Sequence, residues 1–291
     1  MAKLTTKFQS SNTNYNQSPK NQTTTPMRSL YISFISEFYK SRKTLAFWAA
    51  IILPLVICGL IAFGYYTSSE KILKYNYNGM MLWFQYSSAA LGVMGMLILP
   101  FYVMFMAFSV NNIEHKNDTW KTLFSQPLNK FSIYAAKYLY AATLLLICIF
   151  LFALLTYSTG YLLQALVPKY TFNDYSPAII LSKFYTKLFL ASLGILSVQF
   201  MLSLIWGDFL KPMGIGFIGT IAGIITANVG WKHAYLIPYS DPTLALKITK
   251  ASKNARPEDM PIFTQEVWVS LAYGLILFIV GYFILLKRNI K

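Results

Sequence analysis

Six stretches of the chain carry no Asp, Glu, Lys or Arg and are long enough to cross a bilayer, and this pattern constrains the fold most. A spanning helix needs about 20 apolar residues, because each residue rises 1.5 Å across a hydrocarbon core about 30 Å thick. The stretches predict transmembrane helices over 44–66, 87–110, 138–163, 188–207, 212–231 and 267–286. Charged residues are only 12% of the chain, against about 25% in soluble domains. So few charges cannot coat a water-facing surface, which excludes a soluble enzyme. The chain reads as an all-α membrane protein with six transmembrane helices, placing both termini on one side of the membrane.

The basic residues indicate which side. Of 25 Lys and Arg, 15 fall in 1–43, 111–137, 207–211 and 287–291. Cytoplasmic segments carry the Lys/Arg excess, so both termini are expected in the cytoplasm. The formal charge of +15 then belongs to flanks facing anionic lipid, not to a nucleic-acid surface, and no nucleic acid is expected as a partner.

Residues 1–26 are rich in Thr, Asn, Gln and Ser without apolar period and read as a disordered tail. Residues 27–43 have a 3.6-residue period. Leu30, Phe34 and Phe38 form one row, Tyr31, Ile35 and Tyr39 the next, and Ser29, Ser33, Glu37 and Lys40 lie opposite. This predicts an amphipathic helix in the membrane interface. In the long exterior segment 232–266, Leu244 to Ile248 is apolar enough for a short helix resting on the membrane surface.

Several motifs fail on context. Gly214, Gly216 and Gly219 spell G-x-G-x-x-G, but inside a spanning run rather than after a strand. Gly219 and Gly223 instead form G-x-x-x-G, which lets helices approach closely in lipid. There is no Walker A pattern. His115 and His233 lie far apart and read as solvated loop residues, so no metal site is expected. Cys58 and Cys148 sit in apolar runs and imply no disulfide framework. Every ionisable residue falls at or beyond a predicted span end, whereas ion-coupled transporters keep such groups at membrane depth.

The segment 111–137 carries the most information. Asn117 and Asp118 can cap a helix starting at Thr119. Trp120, Leu123 and Phe124 share one face by i, i+3, i+4 spacing, and Pro127 stops the helix. A short cytoplasmic helix with exposed aromatics offers a knob for a partner's groove; packing back on the membrane domain is the alternative.

In this segment Glu114, Thr119, Leu123, Pro127, Lys130 and Lys137 resemble the inner loop of ABC-2 type transporter permeases, and Phe34 to Lys43, with Glu37 and Lys40 as E-x-x-K, resembles that family's entry helix. Asp118 stands where the family usually has Gly, and Lys130 where it has Arg. The resemblance implies a permease subunit of an ATP-driven exporter in the bacterial plasma membrane. It implies a pathway formed with a second permease subunit and separate ABC ATPase subunits that bind ATP and Mg beneath it. No cofactor, metal or catalytic residue is then expected on this chain. Residues Thr119 to Ser125 would be the coupling helix. A polytopic membrane enzyme, or an ATP-independent transporter or channel, remains the alternative, and nothing in the sequence names the cargo.

Overall fold

The computed structural model describes residues 25–116, 119, 122, 123, 125–247 and 260–287. The predicted tail up to residue 24 and the side chains of Asp118, Trp120 and Phe124 lie outside the described residues. Among those described, the fold is helical with no strand. In chain order the helices are α1 (Pro26–Ser41), α2 (Leu45–Thr67), α3 (Ser69–Leu73) and α4 (Gly79–Val93). A π-helical turn (Met94–Ile98) leads into α5 (Leu99–Lys116). Then follow α6 (Lys130–Leu166), α7 (Ala178–Ile205), α8 (Leu210–Val229), α9 (Asp241–Leu246) and α10 (Gln265–Lys287).

Six of these units are long and apolar enough to cross a membrane: α2, the continuous run α4–π–α5, α6, α7, α8 and α10. Two far exceed a bilayer. The α4–π–α5 run has 38 residues and α6 has 37, about 55 Å each at 1.5 Å per residue. Helix therefore continues past the apolar runs at both ends, from Gly79 rather than 87 and from Lys130 rather than 138. The two extensions differ in cause: Lys130 and Lys137 interrupt the apolar run of α6 but not its helix, because Lys is a good helix former, whereas the uncharged 79–86 stretch simply continues α4 back to its Asn78 cap.

We call the end of the bundle holding α1 and the 117–129 connection the base, and the opposite end the crown. At the crown Trp83 donates its indole N–H to the Phe172 carbonyl at 2.8 Å and packs with Tyr86, Leu163 and Tyr170 in a satellite core. The main core runs between α2, α5, α6 and α7.

Helix α1 lies along α6. Its buried row is Ser29, Ser33, Glu37 and Ser41, whereas Tyr31 and Tyr39 are more than 60% exposed. The polar row therefore faces the protein, not water. Small side chains let two helices approach closely, and the row holding Tyr31 and Tyr39 is left facing outward.

The segment after α8 is a second departure from expectation. Gly230 ends α8 in the left-handed conformation (φ 76°), which favours glycine. The chain then turns back into the bundle. Pro238 lies against Gly194, halfway along α7, and the Tyr239 ring against Gly219, halfway along α8. Tyr239 accepts a 2.6 Å hydrogen bond from Gln199 Nε2. Helix α9 follows with Asp241, Pro242, Thr243 and Ala245 buried, and Leu246 closes on Gly95 in the π-turn. The Lys247 ammonium then bonds the Ala227 carbonyl near the end of α8. Residues 237–247 are thus a re-entrant hairpin, not a surface helix. Such backbone is tolerated at membrane depth only where protein surrounds it.

Candidate functional site

At the base, three segments that are distant in sequence converge on four charged side chains. Local hydrogen bonds set their positions. Asn129 caps α6 by accepting from the Phe131 N–H at 2.9 Å. The Asn129 N–H donates to Ser29 Oγ at 3.1 Å, and Ser132 Oγ donates to the Pro26 carbonyl at 3.2 Å, locking the start of α1 to the start of α6. Two turns further along each helix, Glu37 meets Lys137.

Lys137 Nζ donates to Glu37 Oε2 at 2.9 Å, to Glu114 Oε2 at 2.5 Å and to the Val110 carbonyl at 3.3 Å. Lys40 Nζ reaches the other carboxylate oxygens, Glu37 Oε1 at 3.1 Å and Glu114 Oε1 at 3.2 Å. Glu37, Glu114 and Lys137 are at most 2% exposed, while Lys40 borders solvent. Two acids and two bases make the cluster neutral, so each buried charge has the partner that burial demands. Burial alone would lower the Lys40 pKa; the Glu37 and Glu114 carboxylates outweigh it and raise the value above that of a free lysine.

The cluster joins the end of α5 to both neighbouring helices. Glu114 is three residues from the first undescribed position, and its carbonyl accepts from the Thr119 N–H at 3.1 Å. The α5 end is also tied to α7. Asn111 Nδ2 donates to Ser203 Oγ at 2.8 Å and to the Phe200 carbonyl at 3.2 Å, and His115 Nε2 lies 3.1 Å from the Ser203 carbonyl. His115 is therefore a helix residue with a partner, not a solvated loop residue. No group of three His, Cys, Asp or Glu able to hold a metal occurs among the described residues. Cys58 and Cys148 are free and buried.

Of the sequence-derived residues, Glu37, Lys40, Glu114 and Lys137 come together. Phe34 and Phe38 stand edge-on to Tyr140 at 6.3 and 6.4 Å, beside the same cluster. In the connection, the Leu123 N–H donates to the Thr119 carbonyl at 2.9 Å, one helical turn. Leu123 is half-buried and packs on the main core, whereas Thr122, Ser125, Gln126 and Pro127 are exposed. Leu123 thus anchors the connection to the membrane domain rather than projecting from it. Gly219 and Gly223 are close-packed, but against Tyr239 and the Ser240 backbone of the re-entrant hairpin.

The expectation that ionisable groups stay outside the helices does not hold. Lys137 and Lys187 are buried within α6 and α7, and Lys187 pairs with Glu266 of α10 at 2.8 Å. Asp241 is fully buried in the hairpin with neither carboxylate oxygen hydrogen-bonded. Lys137 did have a signal in the sequence, as the last residue of the inner-loop pattern that begins at Glu114.

No curated protein and no solved structure matches the chain. A family model described as ABC-2 family transporter protein matches residues 33–223, which include all four members of the base cluster, the first four spans and most of the fifth. With its six apolar helices and this match over most of its length, the chain is a multi-pass membrane transport subunit and belongs to the ABC-2 transporter family.

Proposed function

We propose that the chain is the permease subunit of an ATP-driven exporter, paired with a second permease subunit and powered by separate ABC ATPase subunits. The buried cluster of Glu37, Lys40, Glu114 and Lys137 carries this reading. It ties the foot of the 117–129 connection to α1 and α6 through charges that cannot separate without exposing one another. A push on the connection is therefore delivered to two helices at once, not dissipated in a loop. The exposed tip at Thr122 and Ser125 to Pro127 supplies the surface an ATPase would contact, and Leu123 holds that tip on the membrane domain. The sequence has no Walker A motif, so ATP and Mg belong to the partner. The Lys/Arg bias supports a cytoplasmic base with the crown outside, and the exporter reading takes the membrane to be a bacterial plasma membrane.

Co-purification tests the reading. The tagged permease should bring down an ABC ATPase from its own membrane, and the reconstituted pair should hydrolyse ATP faster than the ATPase alone. Gln126→Trp at the exposed tip should weaken that association while the permease keeps its wild-type size-exclusion profile. A permease that transports without any ATPase would refute the proposal.

A further inference from the structure

Toward the crown, a pocket of about 190 Å³ lies between α4, the first turns of α7 and the end of the re-entrant hairpin. Its walls are apolar, with Trp83, Phe184 and Leu246 prominent among them. One water needs only about 10–15 Å³ of such space, so the slot is long enough for several methylenes of a chain. Ser87, Ser88, Tyr175, Thr243 and Lys247 break the apolar lining, and two of them matter most. Ser87 is 4% exposed, and its Oγ has no hydrogen-bond partner. Among the described residues, Lys247 is the charged residue that lines the pocket; it is exposed, and its ammonium donates to the Ala227 carbonyl. Gly92 also lines the pocket, and a Cβ there would meet nothing within 4 Å.

We propose that this pocket holds one acyl chain of an anionic membrane phospholipid drawn from the crown-side leaflet. An apolar slot, a buried hydroxyl without a partner and a lone cation match the acyl chain, ester carbonyl and phosphate of such a lipid. Lipid tails are as apolar as leucine, so the chain gains little merely by leaving the bilayer. Selection therefore rests on the polar groups. The ester carbonyl accepts from the Ser87 hydroxyl, and the phosphate meets the Lys247 ammonium. A bound chain would brace the re-entrant hairpin against α4 and α7, since Leu246 touches both the π-turn at Gly95 and the Leu188 region of α7. This inference does not depend on the exporter reading.

The test uses the full-length permease in nanodiscs of phosphatidylcholine, with no cargo added, and a phosphatidylglycerol carrying a photoreactive group on its acyl chain. Labelling is expected to concentrate on peptides from α4 and the start of α7. Unlabelled phosphatidylglycerol should compete better than phosphatidylcholine. Gly92→Phe fills the slot and should cut labelling at least tenfold, whereas Gly59→Phe, where a Cβ also meets nothing within 4 Å, should leave it unchanged. Lys247→Gln should erase the headgroup preference, about fivefold for one cation near the membrane surface. Labelling spread evenly over all spans, or equal competition by the two lipids on the wild-type protein, would overturn the proposal. The wild-type competition decides the matter even if Gly92→Phe fails to fold. Labelling that needs no lipid competitor but is displaced by an exported amphiphile would also overturn it, by assigning the slot to cargo.

Discussion

Replacing Lys137 by Met removes the central cation of the base cluster and keeps most of the side-chain volume. The native ammonium makes three short contacts, to Glu37, Glu114 and the Val110 carbonyl, and its side chain is 1% exposed. Water cannot take its place. Lys40 then faces two carboxylates alone, and the buried site carries a net negative charge. Removing one partner of a buried ion pair costs about 3–5 kcal/mol, a factor of a hundred to several thousand at about 1.4 kcal/mol per tenfold. A typical domain holds only about 5–15 kcal/mol in total. Lys137→Met should therefore insert into the membrane, because the apolar spans are intact, yet unfold at much lower temperature in detergent. The companion variant Lys137→Met with Glu114→Gln restores a neutral site of one acid and one base. It should recover part of the loss, so the two substitutions should not add. Thermal unfolding followed by tryptophan fluorescence, with size-exclusion profiles alongside, measures both effects. A Lys137→Met protein as stable as wild type, or a double variant worse than the sum of the singles, would show that the cluster does not hold the base together.

Three further outcomes test other parts of the molecule. A Cβ on Gly223 would lie 2.5 Å from the Tyr239 carbonyl carbon, so Gly223→Ala should destabilise the hairpin, while Gly214→Ala, which meets nothing within 4 Å, should not; equal melting temperatures would remove the close-packing argument. Asp241 is fully buried with neither carboxylate oxygen hydrogen-bonded, and an unpartnered buried carboxylate is costly, so Asp241→Asn should melt at a higher temperature than wild type at neutral pH; an equal or lower melting temperature would contradict this. With the base in the cytoplasm, a cysteine placed at Asn254 should react with an impermeant reagent on intact cells and one at Asn117 should not; the reverse would invert the topology.

The spans were legible because an apolar run of bilayer length has few other uses, and all six positions were marked by that criterion. The same criterion hid the chemistry. It stops at the first charge, so Lys137 and Lys187 were read as span boundaries, although both lie well inside helices that continue past them. A charge at a span boundary is also what a buried ion pair looks like in one dimension, because its partner lies on another helix. Glu37, Lys40 and Glu114 were singled out individually, but their meeting needs α1 to lie along α6, and only the serine row of α1 bears on that. Ser29 and Ser33 read as part of a solvent-facing stripe under amphipathic logic. In a membrane protein the small polar row is instead the one that fits closely against a neighbouring helix, and the aromatic row can face lipid at no cost. The glycines of α8 follow the same logic. Gly219 and Gly223 signalled a close approach, but a glycine records the space it vacates and not what enters it, here Tyr239 and Ser240 of the same chain. The prolines at 238 and 242 marked irregular backbone, which hydropathy places outside the membrane by default. The hairpin can enter because its polar groups find partners within: Ser240 Oγ donates to the Ile237 carbonyl at 2.8 Å and Tyr239 accepts from Gln199. Depth in this bundle is therefore set by whether the backbone and side chains are satisfied, not by how apolar the segment is, and within the hairpin Asp241, buried with no hydrogen bond to its carboxyl, is where that satisfaction fails.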